Sequence, residues 1–231
     1  MAIRKRTRIW LVGAVAAVVL VAGGGYALFA WQAGGGPPPV SLSSESPSGD
    51  PTAPAGSLDG AWAVATDSFV GYRVREKLGF LPAPSDAVGR TTAVTGSLTI
   101  SGLKVTGVDV TADLTQLVSD RSLRDERMHT IGLESDRFPQ AGFQLDAPIA
   151  FDSKPASGQT VETTATGTLT LHGVTKDVSL PIQARWTADR IEVIGSLDIQ
   201  FADYDITPPN IGGFVTVQDH GTMEFQLFFT P

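Results

Sequence analysis

Three imidazoles (His129, His172 and His220) and the neighbours Arg124 and Asp125 are the side chains that would matter most if this chain did chemistry. Two imidazoles with a carboxylate can hold a zinc ion, and a guanidinium can grip a phosphate through paired hydrogen bonds. Spacing marks neither arrangement. His172 falls at a tight turn and His220 stands beside Asp219 within a strand, so the histidines read as turn or surface residues. Arg124 and Asp125 have two readings: contacts to an anionic head group, or an ion pair that pins a helix to the mouth of the fold. No G-x-S-x-G, G-x-x-x-x-G-K or H-E-x-x-H run occurs, and each of those motifs carries a specific mechanism. Cysteine is absent, which removes disulfides, thiol catalysis and thiolate metal sites. No catalytic residue, metal or cofactor is expected.

The elements that would position these residues are strands. In Gly167 to Trp186 two alternating runs meet at a two-residue turn. After it Val178, Leu180, Ile182, Ala184 and Trp186 face one way, and Asp177, Ser179, Gln183 and Arg185 the other. A period of two means a sheet with one dry and one wet face. Similar runs predict strands at 60–78, 91–101, 103–118, 141–152, 160–172, 174–187, 190–204 and 213–230. Ser101-Gly102, His172-Gly173 and Ala188-Asp189 read as hairpin turns, and 96–102 echoes 167–173. Only 119–133 breaks the rhythm, with Ser119-Asp120 as a cap and Leu123, Met128 and Ile131 on one side of a short amphipathic helix. The fold class is therefore all-β. Eight antiparallel strands can close into a barrel without exposed edges, whose interior is filled or holds a small ligand; a filled sandwich is the rival. Periodicity alone makes the apolar stripes packed core sooner than pocket wall.

The N-terminus is of another kind. Ile9 to Trp31 is uncharged and follows Arg4, Lys5, Arg6 and Arg8. Its length suits a bilayer, and the basic flank predicts a cytoplasmic N-terminus (1–8) with everything after residue 31 outside. A cleaved signal peptide is the alternative; either way the domain at 59–231 is extracytoplasmic, in the cell envelope or secreted. Residues 32–58, rich in Gly, Pro and Ser, read as a disordered linker. The first 56 residues hold four basic and two acidic side chains, leaving 13 basic and 22 acidic residues and a net charge near −9 for the remainder. That excess argues against nucleic acid as a partner.

Two segments resemble the YceI-like family. One runs Ser122-Leu123-Arg124-Asp125-Glu126-Arg127-Met128, then Asp136-Arg137-Phe138-Pro139 and Gly142-Phe143; the other is the hairpin Gly167 to Lys176. The similarity covers about 60–231. The chain departs from the family pattern in lacking a His within Ser68 to Val74 and an Arg within Phe201 to Ile206. The resemblance implies a lipocalin-like eight-stranded antiparallel barrel with one short helix, here behind an N-terminal transmembrane helix, that binds a polyisoprenoid lipid. It turns the stripes into pocket wall: Tyr72, Phe143, Leu145, Val178, Leu180, Ile182, Trp186, Leu197, Ile199, Phe201, Phe225 and Leu227, with Arg124 and Asp125 as head-group contacts. The expected function is carriage or sequestration of an isoprenoid, a prenyl phosphate or quinone, beyond the membrane. The rival is a solid-cored module that binds an envelope protein partner through a rim loop such as 80–92 or 207–213.

Overall fold

The computed structural model describes residues 36–44, 58–79, 83–187 and 189–231. The expected N-terminal segment 1–8 and span 9–31 lie outside the described residues. Among the described residues no helix is long and apolar enough to cross a membrane.

The strands are β1 (Gly60–Val64), β2 (Phe69–Leu78), β3 (Ser85–Thr91), β4 (Val94–Ser101), β5 (Lys104–Asp113), β6 (Val118–Ser119) and β7 (Gln140–Leu145). There follow β8 (Ile149–Ala150), β9 (Thr160–Leu171), β10 (Val174–Thr187), β11 (Arg190–Gln200), β12 (Asn210–Ile211), β13 (Val215–Val217) and β14 (His220–Thr230). Eight of them close a ring in the order β1, β4, β5, β7, β9, β10, β11, β14 and back to β1. Every pair in it is antiparallel. The result is a closed barrel, not a sandwich. Where β1 runs out, β2 continues the wall by pairing with β14, β3 pairs with β2, and β6 pairs with β3.

Strand register follows the alternation. Leu180 lies opposite Ala165, and Trp186 opposite Ile191; all four are buried. The β9–β10 turn is His172-Gly173, both with positive φ (52° and 77°). A side chain at Gly173 would meet the Phe138 ring at 2.8 Å, so glycine is required there both for its conformation and for space.

Several boundaries differ from the sequence reading, each for a physical reason. The run 60–78 breaks between Val64 and Phe69, where the buried Ser68 hydroxyl accepts from the Phe228 N–H at 2.9 Å in place of a strand carbonyl. The run 141–152 breaks at Pro148, which has no N–H for a ladder. Phe201 leaves the strand stripe because β11 gives way to a 3₁₀ turn, Phe201–Tyr204. Val215 and Val217 belong to β13, paired with β2 rather than continuous with β14. The β4–β5 turn falls on Gly102-Leu103, one residue later than expected, since Ser101 pairs with Lys104. The expected loop 80–92 contains β3. Helix α1 (Ser122–Arg127) runs into a π turn, Met128–Gly132. Its N-cap is Arg121 without a side-chain cap. Ser119 and Asp125 instead bond to each other, the carboxylate accepting from the Ser119 N–H and hydroxyl at 2.8 and 2.6 Å.

Part of the expected linker is bound to the barrel. Residues 36–44 form a strap across the outer faces of β3, β2, β14, β11 and β10. Arg73 donates to the Pro37 carbonyl at 2.8 Å and Arg185 to the Ser43 carbonyl at 2.6 Å. Glu192 accepts from the Ser43 N–H at 2.7 Å and hydroxyl at 2.9 Å. Glu192 and Glu224 stand on the outward face, yet both are buried. Arg73 and Arg90 bind Glu224, at 3.2 and 2.8 Å. Burial works against the Glu192 carboxylate, but hydrogen bonds from Ser43, Gln226 and Arg185 outweigh it and hold its pKa below the usual glutamate value.

Candidate functional site

Inward side chains of the ring enclose a cavity of about 150 Å³. At about 10–15 Å³ for each water-sized atom, that is space for on the order of ten small atoms, about two prenyl units. The space exists because small residues face large ones. Ala165 lies opposite Leu180 and Ala184 opposite Val161, and Ala112 also borders the space. Gly195 lies opposite Phe225, and a Cβ there would come within 2.6 Å of that ring.

The two ends differ. At one, the π turn after α1 and the turn Phe201–Tyr204 cover a packed plug. Leu114, Leu117 and Ala87 are buried around Tyr72, with Met128 against them. Tyr204 and Ile206 are buried against Leu169 and Ile199. At the other, Leu58, Phe151, Pro155 and Gln159 border the cavity. Gln159 is exposed while lining it, so the mouth is there. Among the described lining residues the polar side chains are Gln159 and Thr163, with the indole of Trp186 beside them. Trp186 is 5% exposed, its Nε1–H has no hydrogen-bond partner, and the Lys154 ammonium lies 4.9 Å from its ring centroid.

Of the twelve expected wall residues, Phe143, Leu180, Ile182, Trp186, Phe225 and Leu227 line this space. The other six do not. Leu145 and Leu197 face inward but pack into the core cluster, Leu197 also against the plug. Val178, Ile199 and Phe201 join the plug with Tyr204, and Tyr72 its other half. The alternation placed them inward, but the packed end turns inward residues such as Val178, Ile199 and Phe201 into filling. The wall formed by β4 and β5, with Leu98, Ile100, Val105, Val108 and Val110, was not singled out. Its period of two is broken where the register shifts between Thr99 and Ile100, so that Val105 and Val108 lie three residues apart yet share a face.

Arg124 and Asp125 stand at the plugged end and do not line the cavity. Arg124 donates to the buried Glu76 at 2.6 Å and is bonded to Asp120. With Asp125 held by Ser119, this cluster ties α1 to β2 and β6. The Tyr72 hydroxyl lies among these charges, buried and without a partner, and burial pushes its pKa upward. His172 is buried rather than superficial. One ring nitrogen meets the Tyr204 carbonyl at 2.9 Å and the other the Glu134 carboxylate at 2.8 Å, joining three loops of the plug. His129 contacts the Ser135 hydroxyl and His220 its neighbour Asp219.

No curated protein matches the chain. Among solved structures it is similar to a polyisoprenoid binding domain from Saccharophagus degradans implicated in plant cell wall breakdown. The identity is 21%, the TM-score 0.61, and the match covers 74% of this chain and 97% of that one. It is also similar to Burkholderia cenocepacia BcnA, at 18% identity and TM-score 0.52, over 70% of this chain and 95% of that one. Both likenesses concern the fold. Residues 62–229 match the YceI-like domain, so the chain belongs to the YceI-like family.

Proposed function

We propose that this protein is a membrane-tethered, extracytoplasmic lipid-binding barrel that carries or sequesters an isoprenoid of the prenyl phosphate or quinone type. The observation that carries the reading is the apolar cavity, which opens at the exposed Gln159. The family assignment and the polyisoprenoid-binding character of the Saccharophagus degradans domain support it. Each methylene moved from water into such a space contributes about 0.8 kcal/mol, so a wall of this kind binds a prenyl tail without catalytic groups. The uncharged run 9–31 behind its basic flank supports the tether. A hollow interior speaks against the solid-cored interaction module.

The test is extraction of the purified full chain with organic solvent, followed by mass spectrometry. A stoichiometric prenyl species is expected. Repeated preparations that hold no such lipid, and take none up when offered, refute the proposal.

A further inference from the structure

The cavity wall is apolar along almost its whole length, and its polar groups gather at one place. Gln159, Thr163 and the Trp186 indole all belong to the mouth half. The charged cluster at the other end is satisfied internally, since Arg124 is bound to Glu76 and Asp120 and Asp125 to Ser119. Tyr72 has an unpaired hydroxyl, but it lies within the plug and outside the lining. The Trp186 Nε1–H is therefore the one buried, unpartnered donor on a described residue of the cavity lining. A buried donor without an acceptor costs about 1–3 kcal/mol. Phenylalanine would give the same apolar wall without that cost. The Lys154 ammonium, exposed at the rim and seated over the same indole, adds positive charge beside this donor in a domain that is otherwise acidic.

From this we infer a head-group site at the mouth. Trp186 Nε1–H donates to an acceptor oxygen on the lipid, Lys154 supplies the positive field, and the tail runs inward toward Leu169. The inference rests on the lipid-binding reading above and places the head group of that lipid. The cargo is a prenyl lipid whose head presents a hydrogen-bond-accepting oxygen, such as a quinone carbonyl or a phosphate, and bare isoprenoid hydrocarbons are poor ligands. The head stays at the rim while the tail is buried, the reverse of a head group carried in to Arg124.

The experiment offers the full chain in detergent micelles three lipids: squalene, a menaquinone and a polyprenyl phosphate. Bound lipid is measured by native mass spectrometry for wild type, Trp186→Phe and Lys154→Gln. The wild type should prefer both headed lipids over squalene. Trp186→Phe should weaken both headed lipids by about ten-fold more than it weakens squalene, the equivalent of one hydrogen bond. Lys154→Gln should weaken the phosphate more than the quinone if charge contributes as described. A Trp186→Phe variant that binds all three lipids as the wild type does, or loses all three equally, overturns the head-group site while leaving the lipid cavity intact. A wild type that binds squalene as well as the headed lipids does the same. Failure of the wild type to bind any of the three overturns the cavity reading itself.

Discussion

Ala165→Leu separates a hollow barrel from a filled one by the sign of its effect. Ala165 is buried on β9, lines the cavity and lies opposite Leu180. Leucine adds three carbons to a space of about 150 Å³. In a close-packed core such an insertion costs about 1–3 kcal/mol through strained rotamers. In a cavity the added carbons occupy empty volume and exclude lipid carbons one for one. At about 0.8 kcal/mol per buried methylene, three excluded carbons weaken prenyl binding by about 2.4 kcal/mol, roughly sixty-fold. The same carbons stabilise the lipid-free barrel, by about 1–2 kcal/mol after some loss to strain. At this size that raises Tm by about 2–8 °C. Thermal melting of delipidated full chain and titration with a prenyl lipid give the two readouts. A fall in Tm together with unchanged lipid binding refutes the reasoning, because the site would then be packed and the lipid elsewhere.

The plug and the strap yield further expectations. Arg124→Ala leaves Glu76 buried without its cation and should cost about 3–5 kcal/mol in chemical denaturation. The double variant Arg124→Met/Glu76→Gln should recover most of that loss and bind prenyl lipids as well as the wild type, since neither residue borders the cavity. Tyr72→Phe removes a buried hydroxyl that has no partner, so stability should hold or rise by about 1–2 kcal/mol; a clear loss in denaturant melts would mean the hydroxyl is bonded. The pKa of Glu192 is depressed in the folded chain, so its contribution to strap binding is full above its unfolded pKa and is lost as pH falls through the depressed value. Exchange protection of the Ser43 amide, corrected for intrinsic rates, should therefore decline as the pH falls below the ordinary glutamate range. Glu192→Gln should show reduced protection already at neutral pH, with little further change on acidification.

The sequence carried the barrel better than it carried the cavity. Strands buried on one face, such as β10 and β14, declare themselves through alternation, and their inward residues were assigned correctly. Strand β3 (SDAVGRT) was missed because it is buried on both faces: Ala87 points into the plug while Val88 is covered from outside. The strap that covers it was missed for a related reason. It is held through the Pro37 and Ser43 carbonyls and a serine hydroxyl, groups that hydropathy does not register. Glu192 and Glu224 look like ordinary wet-face residues until something is laid over them. Which inward residues border open volume depends on where the plug ends, a property of Leu117, Tyr204 and α1 jointly. No single strand pattern encodes it, so Tyr72, Val178 and Phe201 read like Leu180 and Phe225.

A vessel stoppered at its base is not a conduit. Because the π turn after α1 and the Phe201–Tyr204 turn cap one end with packed side chains, a lipid that enters past Phe151 and Gln159, as the proposed function has it, leaves past the same two residues. Loading and discharge then share a doorway and cannot run at once. On the proposed function, any donor and any acceptor of the cargo visit the same rim in turn, and the direction of traffic is set by those visitors rather than by the barrel.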